Sequence, residues 1–275
     1  MSEVVPHTRP HGTVLAEQDC SPRLDHLINA TCLRKLDLEG GERILDVGSG
    51  FATFARAMAR IAGTPVVCVE SDEPRIYRSL EMAEADGEGS LIDARQGDAC
   101  EIPLRKDEWG SFDVVHCRFL LKRLSRPQEI VESLARALRP GGRLVLADND
   151  HDVLRMWPAM PAVDELWRAL IRSFVDEGFD PFVGRKLLAM MQVADLEPID
   201  VDSLFFGGCS GSPTWDLVMD NLVGKLLGAR PEILESSAIP AHLFDEVMES
   251  LTVWAGRQGA TLWSQICWAE AIKPS

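Results

Sequence analysis

The chain has 275 residues, with 28 Lys+Arg against 43 Asp+Glu, a formal charge of −15, 46% hydrophobic and 26% charged residues. This is the balance of a soluble globular protein long enough to bury a core without disulfides or metal. Its acidity argues against a nucleic-acid surface, which needs clustered Lys and Arg. The seven cysteines (Cys20, Cys32, Cys68, Cys100, Cys117, Cys209 and Cys267) are scattered without a CxxC pair, so free thiols in a reducing, cytoplasmic compartment are expected, and no zinc site. The N-terminus lacks a signal-peptide pattern, and no apolar run reaches the roughly 20 residues that span a bilayer.

Residues up to about Thr13 are polar and proline-containing and read as an arm. Over 22–38, Leu24, Leu27, Ile28, Leu33 and Leu36 recur at helical spacing, behind Ser21 as N-cap and Pro22 in the first turn. A sharp alternation follows: ERILDVG (42–48) is a strand, FATFARAMARIAG (51–63) a helix, TPVVCVES (64–71) a strand ending in an acid, and DEPRIYRSLEMAEADG (72–87) a helix. SLIDARQGDA (90–99) and FDVVHCRF (112–119) are the third and fourth strands. PQEIVESLARALRPGG (127–142) is a helix closed by Pro-Gly-Gly, and RLVLADND (143–150) is the fifth strand. Short β-branched runs alternating with amphipathic helices mean βαβ units in a parallel sheet covered on both faces. Beyond Asp150 the rhythm breaks into helices over 158–176, 185–194, 214–227 and 240–256, a strand over 197–208, and a terminal strand from Thr261.

The segment ILDVGSGFAT places Gly48 and Gly50 where a strand hands over to a helix, so backbone N–H groups there approach a ligand without a Cβ in the way. Glu70, at the end of the next strand, stands about twenty residues on, where a ribose diol is bound. A dinucleotide loop would carry a third glycine at position 53, which is Thr53, and a pyrophosphate would be poorly served by Asp46 just ahead of the first glycine. An acid there suits an ammonium group, which favours a cationic amino-acid nucleoside, S-adenosylmethionine.

From about Glu42 to Asp148 the chain resembles a class I S-adenosylmethionine-dependent methyltransferase of the UbiE-like, methyltransferase-type-11 group. The resemblance implies a Rossmann-like α/β fold with a seven-stranded, mostly parallel sheet, an antiparallel last strand and helical lid insertions. It implies an arm and helix over 1–40, a cofactor-binding core over 41–150, a lid and acceptor region with the sixth strand over 151–260, and a terminal strand over 261–275. It assigns Asp46, Gly48, Ser49 and Gly50 to the glycine loop, with Ala52 at the family's usual third glycine. Glu70 takes the ribose, Ser71 lies alongside the adenine, Asp98 meets the adenine amino group, and the Ala99 backbone flanks the ring. His116 and Cys117 fall under the methionine part of the cofactor, S-adenosyl-L-methionine. The family's acid and histidine are replaced here by Lys122 and Arg123, so no role carries over to that pair. Arg118 is open between the cofactor carboxylate and a salt bridge to Asp46 or Glu17.

Ligands of open α/β sheets bind beyond the carboxyl ends of the strands, so the methyl acceptor is expected after strands four and five. His151 is the first candidate general base there and His116 the second; Asp148 and Asp150 are expected to be solvated or helix-capping. Trp157, Phe174, Phe179, Phe182, Phe205 and Phe206 either line an apolar acceptor cavity or are ordinary core. The expected partner is a small-molecule acceptor, O- or N-methylated before C-methylated, with natural-product metabolism as the setting, no nucleic acid or membrane, and the oligomeric state open between a monomer and a homodimer. The alternatives are non-methyl chemistry on the same fold, as in a cyclase, or a noncatalytic cofactor-binding role.

Overall fold

The computed structural model describes residues 22–236 and 239–275. The expected arm, the Ser21 cap, Glu17 and Cys20 lie outside the described residues.

Strands β1 (Ile44–Val47), β2 (Val66–Glu70), β3 (Ile92–Gln96), β4 (Phe112–Arg118) and β5 (Leu138–Asn149) are parallel neighbours in the order β3-β2-β1-β4-β5. The terminal strand β8 (Thr261–Ile272) runs antiparallel to β5. β5 and then a short β6 (Arg155–Trp157) follow one another along one side of β8, while β7 (Glu197–Cys209) runs along its other side. The sheet therefore has eight strands: the seven expected plus β6, whose three residues are held by pairing with Thr261–Trp263.

All residues of β1 and β2 are buried because helices cover both faces. On one face Leu45, Val47, Val115, Leu144 and Leu146 meet Ile130, Val131 and Leu134 of α4 (Pro127–Ala137). On the other, Ile44, Val114, Val145 and Trp268 meet Leu24, Ile28 and Leu36 of α1 (Pro22–Leu36) and Phe54, Ala55 and Met58 of α2 (Thr53–Ala62). Each such Val, Leu, Ile, Phe or Met side chain contributes about 1.5–3 kcal/mol by leaving water. A third cluster joins α5 (Pro161–Asp176), α7 (Trp215–Gly228), α8 (Arg230–Ser236) and α9 (Ala241–Ala255) around Leu154 and Leu262, at the antiparallel end of the sheet.

Local chemistry sets the helix starts. Asp72 accepts a hydrogen bond from Arg75 N at 3.0 Å, with Pro74 in the first turn, and so opens α3 (Glu73–Ala85). The expected helix over 158–176 begins at Pro161, a residue suited to the first helical position. The fourth helix ends at Ala137 rather than at Pro-Gly-Gly; Pro140 has no N–H to continue it, and residues 138–142 already belong to β5. The helix expected over 185–194 forms as the short α6 (Leu187–Val193), which packs Leu187 and Met191 against the α4 face.

Candidate functional site at the carboxyl edge of the sheet

The turn from β1 to α2 is built on two left-handed glycines, Gly48 (φ +77°) and Gly50 (φ +56°). Gly48 N and Ser49 N both donate to Val69 O, at 2.8 and 3.2 Å, which ties the turn to the end of β2. A Cβ on Gly48 would meet Leu120 Cδ2 at 3.0 Å, whereas one on Gly50 would meet nothing within 4 Å. The backbone at Gly50 is thus open to an approaching ligand. Ala52, at the usual third glycine, also adopts a left-handed conformation (φ 52°) and begins α2 with its methyl buried.

Glu70 faces this turn. Its Oε2 accepts from Gly50 N at 2.9 Å, and its Oε1 accepts from Ser71 N at 2.9 Å and Asp72 N at 3.0 Å. A carboxylate has about four acceptor positions, so one remains on Oε2 for a hydroxyl donor. Ser71 is exposed. Asp98 is half-buried after β3 and accepts from Cys100 N at 2.8 Å, with Ala99 buried beside it. These residues come from the ends of three adjacent parallel strands, in a register that sets Asp46 opposite Cys68 and Glu70 opposite Gln96. The open turn and the acid with a spare acceptor position fit an adenosyl cofactor.

Asp46 and His116 are opposite one another in the β1–β4 register, 3% and 2% exposed, with His116 Nδ1 and Asp46 Oδ1 2.7 Å apart. The His116 ring packs on Phe54 at 4.9 Å between centroids, and its Nε2 is buried with no hydrogen-bond partner among the described residues. Cys117 points to the opposite face, into the α4 core. Burial, and then the Asp148 charge, push its thiol well above the usual range, the mark of an inert cysteine. Arg118 reaches Asp25 Oδ1 (3.2 Å) and Asn29 Oδ1 (2.5 Å) on α1, stacked over Phe54; among the described residues its acid is Asp25, while Asp46 binds His116.

Past β4 and β5 the edge is made of paired side chains. Lys122 and Asp148 are both buried, with Nζ to Oδ1 at 3.1 Å and Lys122 N donating to Oδ2 at 3.2 Å. Asp150 is buried too, bridged by Arg185 Nε and Nη2 at 2.6 and 2.7 Å. Asp150 caps the turn through Asp152 N, as expected, but neither aspartate is solvated. No local pattern signals this, because both partners become neighbours only through tertiary packing. Asn149, between them, has a buried Nδ2 with no partner among the described residues.

His151 opens a 3-10 turn immediately after β5. Its Nδ1 lies 3.0 Å from Pro181 O, and its ring sits against Trp167 (5.6 Å between centroids, stacked) and Phe174 (5.3 Å). Trp167 Nε1 donates to His151 O at 2.6 Å and fixes α5 over the turn. Of the aromatic set considered for one cavity, Phe174 and Phe179 gather here, and Phe182 lies under the Arg185 guanidinium. Trp157 (65% exposed) and Phe205 (67% exposed) sit instead on the antiparallel extension, and Phe206 packs against the α1 face. Trp167, read from sequence only as helix core, is the aromatic that holds His151.

A glycine turn leaving a buried strand, an acid at the next strand's end and a doubly covered parallel sheet define a nucleoside-binding protein of the doubly wound α/β class. Residues 45–146 match the family described as "Methyltransferase domain". Over 179 residues the chain is 30% identical to a ubiquinone biosynthesis O-methyltransferase of Idiomarina loihiensis, covering 62% of this chain and 68% of that one. Over 163 residues it is 28% identical to a glycine/sarcosine/dimethylglycine N-methyltransferase of Actinopolyspora halophila, covering 59% of this chain but 27% of the relative's length. A structure from Bacillus halodurans C-125 assigned as a methyltransferase shares the fold at a TM-score of 0.63, with 20% identity over 90% of this chain and 99% of that one. The chain belongs to the class I S-adenosylmethionine-dependent methyltransferases, and its cofactor is S-adenosyl-L-methionine. No helix among the described residues is long and apolar enough to cross a membrane.

Proposed function

We propose that the protein methylates an oxygen or nitrogen of a small molecule held at the carboxyl ends of β4 and β5, under α5. In this reading the backbone of Gly48, Ser49 and Gly50 meets the amino-acid end of the cofactor, and Asp46 receives its ammonium group. Glu70 receives the ribose hydroxyls, and Asp98 the adenine amino group, with Ser71 and Ala99 beside the ring. The cofactor supplies a sulfonium methyl, which an in-line nucleophile displaces with a neutral thioether as leaving group. Holding the two reactants in line supplies much of the rate.

The observation that carries the choice of acceptor atom is the hydrogen bond of His151. A main-chain carbonyl only accepts, so the contact to Pro181 O puts the proton on Nδ1 and the lone pair on Nε2. That tautomer suits a base. The acceptor's O–H or N–H proton passes to Nε2 as the new bond to carbon forms, and the sulfur keeps the electron pair of the broken bond. The two relatives named above, an O- and an N-methyltransferase, are consistent with such acceptors.

The test is transfer of labelled methyl from S-adenosyl-L-methionine to a panel of hydroxylated aromatics and small amines, with S-adenosylhomocysteine measured as co-product. His151→Ala is expected to slow turnover about 100-fold or more, within the range for losing a general base, with unchanged S-adenosylhomocysteine affinity by calorimetry. An unaffected rate removes His151 as the base. Absence of transfer to any panel member, with the cofactor bound, removes this acceptor class.

A further inference from the structure

The cofactor reading gives Asp46 its task but no means of holding its carboxylate, which turns about two side-chain bonds. His116 supplies one. The two residues are opposite in register on adjacent strands, both side chains are almost wholly buried, and Nδ1 meets Oδ1 at 2.7 Å. Arg118, two residues on from His116 and on the same face of β4, is engaged by Asp25 and Asn29. An ionised carboxylate only accepts, so Nδ1 carries the proton and Nε2 is left as the buried atom without a partner among the described residues. A buried polar atom left unpaired is a cost that a purely structural side chain, Phe or Leu, would avoid.

We propose that His116 is a positioning residue for the cofactor: by donating from Nδ1 to Oδ1 it fixes Asp46 so that Oδ2 receives the ammonium of the methionine moiety. This rests on the cofactor-binding reading above. It assigns His116 neither direct contact with the cofactor nor the role of base, because Nδ1 is occupied and Nε2 is buried. A side chain locked in advance binds without the cost of ordering it at the moment of encounter.

Two probes separate this role from general support of the glycine turn. S-adenosylhomocysteine carries the ammonium group, whereas 5′-methylthioadenosine has the same nucleoside and thioether without the amino-acid end. By calorimetry, His116→Leu is expected to weaken S-adenosylhomocysteine about tenfold or more while 5′-methylthioadenosine changes by less than about twofold. His116→Asn, whose amide can donate from near the Nδ1 position, is expected to restore most of the loss. In a double-mutant cycle, His116→Leu should add nothing to Asp46→Asn. Parallel weakening of both probes, or no weakening of either, overturns the proposal. If His116→Leu fails to fold, His116→Gln, with its donor displaced toward the Nε2 position, makes the same comparison with His116→Asn. A wild-type chain that binds neither probe overturns the cofactor reading itself, and this inference with it; binding of both by wild type with equal responses in the variants overturns only the role of His116.

Discussion

The two halves of the carboxyl edge solve the same problem with different materials. Beyond β1 and β2 the polar surface is mostly backbone: two left-handed glycines and three main-chain N–H groups gathered on Glu70. Beyond β4 and β5 the polar groups are largely buried and locked to one another, Lys122 to Asp148, Arg185 to Asp150 and His151 to the Pro181 carbonyl. A backbone cradle suits a ligand shared by a whole family, because it depends mainly on glycines at fixed spacing and an acid at the next strand's end. A surface of paired side chains can be rebuilt pair by pair, which suits the half that must fit one acceptor.

The sharpest way to break this contrast is on the acceptor side. Lys122→Met leaves Asp148 buried without its cation and is expected to cost about 3–5 kcal/mol in urea unfolding. A loss below about 1 kcal/mol would mean that the pair does not hold that half together. Besides Asp46–His116, the cofactor half has a side-chain clamp at its β3 margin, Glu108, which is buried against Arg95, with Arg105 and Arg43 also in reach. Chiefly the hydrogen bonds from Arg95 lower its carboxyl from 4.5 to about 2. Because the folded value is depressed, the stabilisation is complete above pH 4.5 and is lost as the pH falls from there through about 2. With screening of the exposed arginines it amounts to about 2 kcal/mol. Urea titrations at pH 5 and pH 2.5 on wild type and Glu108→Gln should show the gap shrinking to about a quarter at the lower pH; a constant gap would contradict the clamp.

Smaller changes sharpen the backbone side. Glu70→Gln turns an NH2 group toward main-chain N–H donors, and about a tenfold loss of S-adenosylhomocysteine affinity is expected by calorimetry, with the acceptor half undisturbed. The smallest effect is expected at Ala52. Glycine there relieves about 1 kcal/mol of left-handed strain but forfeits about 0.8 kcal/mol from the buried methyl, so Ala52→Gly should shift stability by less than about 0.5 kcal/mol. A large shift either way would show that the third position of the loop matters more than its geometry suggests.

How much of this was legible in the sequence follows the same division. The alternating strands and helices, the glycine turn, Glu70 and Asp98 are local patterns, spelled by neighbouring residues and by strand order, and the parallel register carries them to one edge. The extra strand β6 and the helix α8 left weak traces because each is short and held by distant partners. Arg118 was an open choice for the same reason, its acid among the described residues being Asp25, 93 residues away on α1.

The sequence by itself determined the doubly wound sheet and the nucleoside-binding turn, since hydrophobic period, glycine spacing and the position of an acid are all written within about thirty residues. The tertiary structure alone decided which charges are buried and with whom. It joined Asp46 to His116 across 70 residues of chain and Lys122 to Asp148 across 26, and set His151 between Trp167 and Phe174. Those pairings depend on which strands lie side by side and which helix closes over them. A side chain's neighbours in space, rather than its neighbours in sequence, determine whether a charge can be kept out of water.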